Sequence, residues 1–131
     1  MHTDLQLSWL EFDTTDNGDD THTLEAMASV PPARVADVLA EVAAVLAWAH
    51  RHFPEGPRSL DDGGDWDMLL QAQVNDAAPV TLHHDAASGH LHGLPTLPLD
   101  GDKPTWVCVT LTLAATHAMA EALSLATDQG L

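Results

Sequence analysis

Alternating apolar and polar residues recur in four separate stretches of the sequence, and they restrict the fold more than any other feature. The stretches run from Leu5 to Asp13, from Thr23 to Val30, from Trp66 to Val74 and from Trp106 to Leu113. Successive side chains of a β-strand point to opposite faces, so a period of two predicts strands that each carry one apolar face. A chain of this kind needs a sheet with one face covered by other elements.

The first two strands are predicted to form a hairpin around Asn17-Gly18. This dipeptide strongly favours a two-residue turn between antiparallel strands. With these two residues as the turn, Trp9 lies opposite Ala26, and the apolar residues of both strands share one face. The turn and the apolar pattern therefore predict the same register.

Two helices are predicted, one in the middle of the chain and one at its end. Apolar residues from Val35 to Phe53 recur at helical spacing directly after Pro31-Pro32, and proline is common in the first turn of a helix. The second helix is predicted to begin after Thr116, whose hydroxyl suits an N-cap, and to end at Gly130.

A shorter hairpin is predicted between these helices, from Val80 to His84 and from His90 to Leu94. The resulting order is β-β-α-β-β-β-β-α. Strands and helices do not alternate along the whole chain, which argues against a doubly wound α/β sheet. We therefore predict one α+β domain over residues 1–131. It has a mostly antiparallel sheet of about five to six strands, with both helices packed on one face.

The chain is strongly acidic, and this property restricts its partners. It has 20 acidic residues, 4 lysine and arginine residues and a formal net charge of −16. Such a surface repels nucleic-acid phosphates and anionic membranes, and it attracts cations and basic proteins. The sequence therefore argues against binding of nucleic acid or membrane and favours a basic protein partner. Adaptation to high salt and the composition of an alanine-rich, lysine-poor lineage are alternative explanations of the acidity.

The sequence also predicts where the protein resides. The first residues lack the basic start and apolar stretch of a signal peptide, and no apolar run reaches the roughly 18 residues of a membrane helix. Cys108 is the only cysteine, so an internal disulfide cannot form. These features predict a soluble cytoplasmic protein.

The sheet face opposite the helices is a candidate interface. With the helices on the face of Trp9 and Val109, several large apolar residues are expected on the other face among polar ones. They are Leu10, Phe12, Met27, Leu69 and Trp106. Such a face is too apolar to be fully solvated, and a homodimer is the commonest way to cover it. Single exposed apolar residues are also ordinary on protein surfaces, so both interpretations stay open.

A histidine-rich segment is a candidate metal site. It runs His83-His84-Asp85 and then His90-Leu91-His92 around the turn of the short hairpin. If the numbers of facing positions have an even sum, His84, His90 and His92 share one face, and imidazoles suit zinc or nickel. An odd sum separates the three histidines. No known metal-binding signature matches the segment.

The acidic segment that begins at Asp61 is not predicted to bind calcium. An EF-hand loop starting there would need a glutamate at its twelfth position, which is Ala72. The segment is therefore interpreted as a solvated loop.

No catalytic motif is found in the sequence. Cys108 lies in a predicted strand, where a lone cysteine is more often a small apolar residue than a nucleophile. We therefore expect a non-enzymatic binding or assembly module that forms a homodimer and docks a basic protein partner. The alternatives are a metal-binding protein that uses the histidine hairpin, and a small enzyme with a pocket between sheet and helices.

Overall fold

A computed structural model describes residues 5–95 and 105–127. Its strands and α-helices are β1 (Phe12–Asp16), β2 (Thr21–Val30), α1 (Val35–His52), β3 (Trp66–Val74), β4 (Val80–Thr81), β5 (His83–His84), β6 (Leu91–His92), β7 (Val107–Thr116) and α2 (His117–Thr127). The α+β class is confirmed. The predicted strand from Val80 to His84 is divided at Leu82, which adds one short strand to the predicted order. The expected end of the second helix at Gly130 lies outside the described residues.

Five strands form one sheet in the spatial order β1-β2-β7-β3-β4, and every neighbouring pair is antiparallel. The last long strand, β7, lies between β2 and β3, which therefore run parallel to each other. Helix α1 makes the connection from β2 to β3 across one face of the sheet. The two short strands β5 and β6 form a separate antiparallel ribbon.

One face of the sheet and both helices enclose a single hydrophobic core. Leu111 of β7 faces Ala26 on one side and Leu70 on the other, and directly facing residues share a face of the sheet. The predicted apolar side of this strand is confirmed, because alternate residues from Val107 to Ala115 are all buried. Helix α1 contributes side chains that recur every three or four residues, namely Val35, Val38, Val42, Val45, Leu46 and Ala49. Helix α2 contributes Met119, Ala120, Leu123 and Ala126 to the same core.

The beginnings of both helices agree with the sequence-based expectations. Pro31 and Pro32 separate β2 from α1, with one turn of 3-10 helix over Pro32–Arg34 before the α-helix begins. The hydroxyl of Thr116 accepts a hydrogen bond of 3.3 Å from the N–H of Met119, as an N-cap does. Neither α1 nor α2 is long and apolar enough to cross a membrane.

The register of the first hairpin differs from the predicted one. Phe12, rather than Trp9, lies opposite Ala26. The loop spans the four residues 17–20, with a hydrogen bond of 3.0 Å from the N–H of Asn17 to the carbonyl of Thr21. Both Gly18 and Asp20 adopt left-handed backbone angles in this loop, with φ of 83° and 65°. The predicted two-residue turn is therefore wrong. The pairing of β1 with β2 is shifted by three positions from the predicted register, and an odd shift exchanges the two faces of β1.

The segment before β1 is not a strand. Residues 5–11 carry no strand assignment, although the alternation from Leu5 to Asp13 predicted one. Glu41 of α1 instead holds this segment through hydrogen bonds from the backbone N–H groups of Ser8, Trp9 and Leu10. This contact with the helix directs Leu10 into the core, where its side chain is 2% exposed.

Candidate functional site

The sheet has a second face that the helices do not cover, here called the outer face. It consists of the residues that alternate with the core residues along four strands. They are Asp13, Thr15, Thr23, Glu25, Met27, Ser29, Asp67, Leu69, Gln71, Gln73, Cys108, Thr110, Thr112 and Ala114. Hydroxyl and amide side chains predominate, with three carboxylates and two large apolar side chains.

Two large apolar side chains on the outer face are well exposed. Met27 is 55% and Leu69 is 46% exposed. Both face threonines of the central strand, since Met27 lies opposite Thr110 and Leu69 lies opposite Thr112. The two apolar side chains therefore flank β7 near the middle of the face, in positions suited to contact another surface.

Trp106 adds a third exposed apolar side chain, 50% exposed, immediately before β7. Both of its backbone polar groups are hydrogen-bonded to Asn75. Its N–H donates to Oδ1 of Asn75 at 2.9 Å, and its carbonyl accepts from the N–H of Asn75 at 2.9 Å. A large side chain on a fixed backbone loses little freedom when a partner covers it.

The structure divides the five predicted interface residues into two groups. Met27, Leu69 and Trp106 are exposed as expected, whereas Leu10 and Phe12 are buried in the core. The expectation that Leu10 and Phe12 lie on the uncovered face is wrong. The register shift of β1 turns Phe12 toward the helices, and the contact of the preceding segment with Glu41 directs Leu10 into the core.

The outer face carries negative charge without a basic side chain. Asp13, Glu25 and Asp67 lie on it. The three arginines of the described residues lie elsewhere, in the turn before α1, in the last turn of α1 and in the loop before β3. They are Arg34, Arg51 and Arg58. A partner with basic or neutral groups at its rim is therefore electrostatically favoured here.

The outer face also has two shallow depressions. One, of about 160 Å³, lies beside Leu69 and Thr112. The other, of about 90 Å³, lies beside Met27 and Cys108. Each is far smaller than the roughly 300 Å³ at which small-molecule sites begin, and each is suited to a single protruding side chain of a partner.

The predicted metal ligands are not brought together. In the β5–β6 ribbon His83 lies opposite His92 and His84 lies opposite Leu91, so the sum of facing positions is odd. Alternation along β6 places His90 with His92 and away from His84. Within residues 5–95 and 105–127, no three histidine, cysteine or acidic side chains are arranged to hold a metal ion. The zinc or nickel prediction gains no support from this geometry.

His84 instead lines a cleft of about 380 Å³ between α1, the edge of β3 and the segment that contains β4 and β5. The residues around it are His50, Pro57, Asp67, Met68, Leu69, Leu70, Thr81, Leu82, His83, His84 and Ala86. This volume lies within the range of small-molecule sites, and the lining combines six apolar with five polar residues.

Two histidine rings form one wall of this cleft. His50 stacks on His84 with ring centroids 5.5 Å apart, and its edge contacts Trp66 at 5.3 Å. Burial is the main cause that lowers the pKa of His84. The neighbouring His50 lowers it further, and Asp85 acts in the opposite direction. Nε2 of His84 and the indole nitrogen of Trp66 are buried without a hydrogen-bond partner among the described residues. The cleft wall therefore contains the ring of His84, for which the neutral form is favoured and which has one unsatisfied nitrogen atom.

Sequence analysis did not identify this cleft. His50, Asp67 and His84 come from a helix, a long strand and a short ribbon, and no local spacing relates them. His84 was predicted to bind a metal ion together with His90 and His92, whereas its ring neighbour is His50. Only the packing of α1 against β3 reveals this neighbour.

A second histidine pair lies at the start of α2. Nε2 of the buried His22 and Nδ1 of His117 are 3.0 Å apart and share a hydrogen bond. Nε2 of His117 lies 3.4 Å from the carboxylate of Glu121, one helical turn away. The pair connects β2 with α2 and is remote in sequence from the cleft.

Comparison with known proteins does not assign the chain to a family. No protein-family model matches it, and no curated protein or solved structure shows significant similarity.

Proposed function

We propose that the protein is a cytoplasmic, non-enzymatic assembly module that forms a homodimer through its outer face. One observation carries this proposal. The helices cover a single face of the sheet, and the uncovered face presents Met27, Leu69 and Trp106 as half-exposed apolar side chains. Self-association is the commonest way to remove such a face from water.

The size of the sheet bears on this role. Its five strands hold 36 residues that cover about 16 Å² each, so the face measures about 570 Å². A stable interface of ordinary size buries about 800 Å² on each partner, so residues beside the strands, such as Trp106, complete the contact. A twofold axis near β7 allows Met27 of one copy to approach Leu69 of the other, because these residues lie on opposite sides of that strand.

Charge opposes the dimer only in part. Two copies bring −16 each. The carboxylates of Asp13 and Asp67 lie near the ends of their strands, whereas Glu25 lies opposite Thr112 in the middle of the face and adds repulsion there. Repulsion between exposed charges is screened over about 8 Å at physiological ionic strength. The middle of the face, with its threonines and the apolar side chains of Met27 and Leu69, contributes the favourable area.

The acidic loops offer a second surface, and we propose that it docks a basic protein partner. In the loop 17–20, Asp19 accepts hydrogen bonds from both the hydroxyl and the N–H of Thr21. The hydroxyl bond is the main cause that lowers the pKa of Asp19, so its carboxylate stays charged in mildly acidic solution. Such a surface accelerates association with a cationic partner, and added salt weakens that association.

The oligomeric state of matched variants tests the proposal. Wild type is expected to form a dimer in sedimentation equilibrium, and Met27→Glu and Leu69→Glu are expected to be monomers. Leu125→Glu is the control, because Leu125 is 66% exposed on α2 and lies off the outer face. A monomeric wild type, or a dimer that persists in both outer-face variants, would overturn the assignment of this face.

A lysine homopeptide tests the second surface separately. Its binding is expected to weaken steeply with salt and to weaken further when Asp16, Asp19 and Asp20 are changed to asparagine. Changing Asp13 and Glu25 of the outer face to neutral amides is the control. If both sets of variants weaken binding equally, the loop is not a distinct docking surface.

A further inference from the structure

The edge of the sheet is open along part of β3, beside the cleft. Strand β4 pairs with only two residues near the far end of β3. The N–H of Leu82 continues this pairing with a hydrogen bond of 2.8 Å to the carbonyl of Leu70. On the other side of the gap, the N–H of Arg58 donates to the carbonyl of Trp66 at 2.9 Å. Met68 lies between these two contacts.

The carbonyl of Met68 therefore points into the cleft. Backbone groups of alternate residues turn to the same side of a strand, and the carbonyls of Trp66 and Leu70 both turn to the open edge. Met68 lies two residues from each of them, so its carbonyl turns to the same edge. Its N–H donates to Oδ1 of Asp67 at 2.9 Å, which leaves a carbonyl and a carboxylate side by side at the cleft.

The cleft offers hydrogen-bond acceptors and a negative charge to a ligand. Besides the carbonyl of Met68 and the carboxylate of Asp67, its wall contains the ring of His84. The lowered pKa of His84 favours the neutral ring, which has one acceptor nitrogen. None of the residues that line the cleft is lysine or arginine.

The rest of the wall combines apolar residues with His50, Thr81 and His83. Pro57, Leu70 and Leu82 surround the acceptors, and the volume of about 380 Å³ admits a ring-sized body. Arg58, the nearest basic residue in sequence, directs its guanidinium to the carbonyl of Gly63 at 3.2 Å and to the carboxylate of Glu55 at 3.4 Å. The negative charge of Asp67 is therefore not neutralised by that arginine.

We propose that this cleft binds a small organic amine with an apolar body, its ammonium group against Asp67 and Met68. An ammonium has three donors and no acceptor, which matches a carboxylate, a carbonyl and an imidazole nitrogen. The formal charge of −16 raises the local concentration of cations around the protein. A carboxylate-bearing ligand of the same size would meet acceptors only and the repulsion of Asp67.

Three probes of similar size test the proposal on the wild-type protein: benzylamine, benzyl alcohol and benzoate. Nuclear magnetic resonance of the backbone amides and histidine rings at pH 7.5 reports binding. Benzylamine is expected to shift the resonances of Met68 and His84 in a saturable manner. Benzyl alcohol is expected to bind about tenfold more weakly, since it has no charge to pair with Asp67. Benzoate is expected to leave these resonances unchanged.

Variants then assign the contacts. Asp67→Asn is expected to weaken benzylamine binding about tenfold, whereas Asp76→Asn, in the exposed turn after β3, leaves it unchanged. His84→Ala is expected to weaken it, with His90→Ala as the control outside the cleft. Binding of benzoate or benzyl alcohol as tight as that of benzylamine would overturn the proposal without any variant. Unaltered affinity in a folded Asp67→Asn protein would also overturn it.

Discussion

The carboxylate of Glu41 accepts a hydrogen bond of 3.0 Å from the backbone N–H of Leu10. The same carboxylate accepts from the N–H groups of Ser8 at 2.7 Å and Trp9 at 2.9 Å. Three consecutive donors thus converge on one side chain of α1, more than thirty residues later in the chain. The carboxylate replaces the strand partner that these N–H groups would otherwise need.

Glu41→Ala is expected to lower the free energy of unfolding by about 2 kcal/mol, because hydrogen bonds to a charged acceptor are stronger than neutral ones. Glu41→Gln keeps one acceptor oxygen and is expected to lose about half as much. Chemical denaturation gives the magnitudes, and hydrogen exchange of the Leu10 amide locates the effect.

Asp37→Ala is the matched control for this contact. Asp37 lies on the same helix in an exposed ion pair with Arg34 at 3.4 Å, and exposed pairs contribute about 0.5 kcal/mol. Equal losses in the Asp37 and Glu41 variants would show that the carboxylate of Glu41 does not hold the segment.

The same contact explains why the first hairpin was predicted in the wrong register. Local alternation from Leu5 onward fits a strand, and Asn17-Gly18 fits a two-residue turn, so both local signals agreed. The hydrogen bonds to Glu41 remove residues 8–10 from the sheet, and β1 begins only at Phe12. A contact over about thirty residues leaves no periodic trace in the sequence.

Long elements were predictable because their patterns are repeated many times. The nine residues of β3 and the apolar stripe of α1 each give several concordant positions, and both agree with the structure. The two-residue strands β5 and β6 give too few positions to fix an odd or an even register. That register determines whether His84 lies on the same face of the ribbon as His90 and His92, and the odd register separates them.

Gly64→Ala is expected to destabilise the protein by about 2–3 kcal/mol, as overpacking of a tight site does. A Cβ atom at this position would lie 2.3 Å from the carbonyl oxygen of Arg58, which is backbone and cannot move alone. Because Arg58 closes one end of the cleft through its bond to Trp66, benzylamine binding is expected to weaken as well.

Gly89→Ala provides the comparison for this substitution. Gly89 has a φ of 77°, but nothing lies within 4 Å of an added Cβ, so only the backbone strain of about 1 kcal/mol is expected. Thermal denaturation of both variants measures the difference. A loss at Gly64 no larger than that at Gly89 would contradict the close contact with Arg58.

Stability is expected to decline as the pH falls from about 7 to about 5, with a contribution from His84. Its pKa in the folded protein lies below the unfolded value of about 6.5, so the unfolded state takes up a proton first. The stabilising contribution is complete above the unfolded pKa and is lost as the pH falls through the folded pKa. His84→Gln is expected to give a shallower decline in denaturation midpoints over this range than wild type. A steeper decline in His84→Gln would have the wrong sign.

Asp19 and Asp85 titrate in a separate, more acidic window. Hydrogen bonds from the hydroxyls of Thr21 and Ser88, respectively, are the main causes that lower the pKa of these carboxyls. Their stabilising contributions are present above the unfolded pKa of about 3.9 and are lost below it. Thr21→Val and Ser88→Ala are therefore expected to lower stability by a constant amount above about pH 4, without changing the slope between pH 7 and pH 5, and to approach wild-type stability at lower pH. A changed slope between pH 7 and pH 5 would contradict this assignment.

The pair of His22 and His117 predicts a non-additive effect on stability. His22 is buried, and its Nε2 shares a hydrogen bond with Nδ1 of His117, whereas its Nδ1 is buried without a partner among the described residues. His117→Ala leaves one more buried nitrogen unsatisfied and is expected to cost about 1–2 kcal/mol. His22→Leu removes the buried polar ring altogether, so adding His117→Ala to that variant is expected to cost almost nothing. The double-mutant cycle, measured by chemical denaturation, isolates the pair.

Glu121→Ala, which removes only the exposed partner of His117, is the control and is expected to change stability by about 0.5 kcal/mol or less. Simple additivity of the two histidine substitutions would show that the hydrogen bond contributes nothing, and that the two rings pack independently.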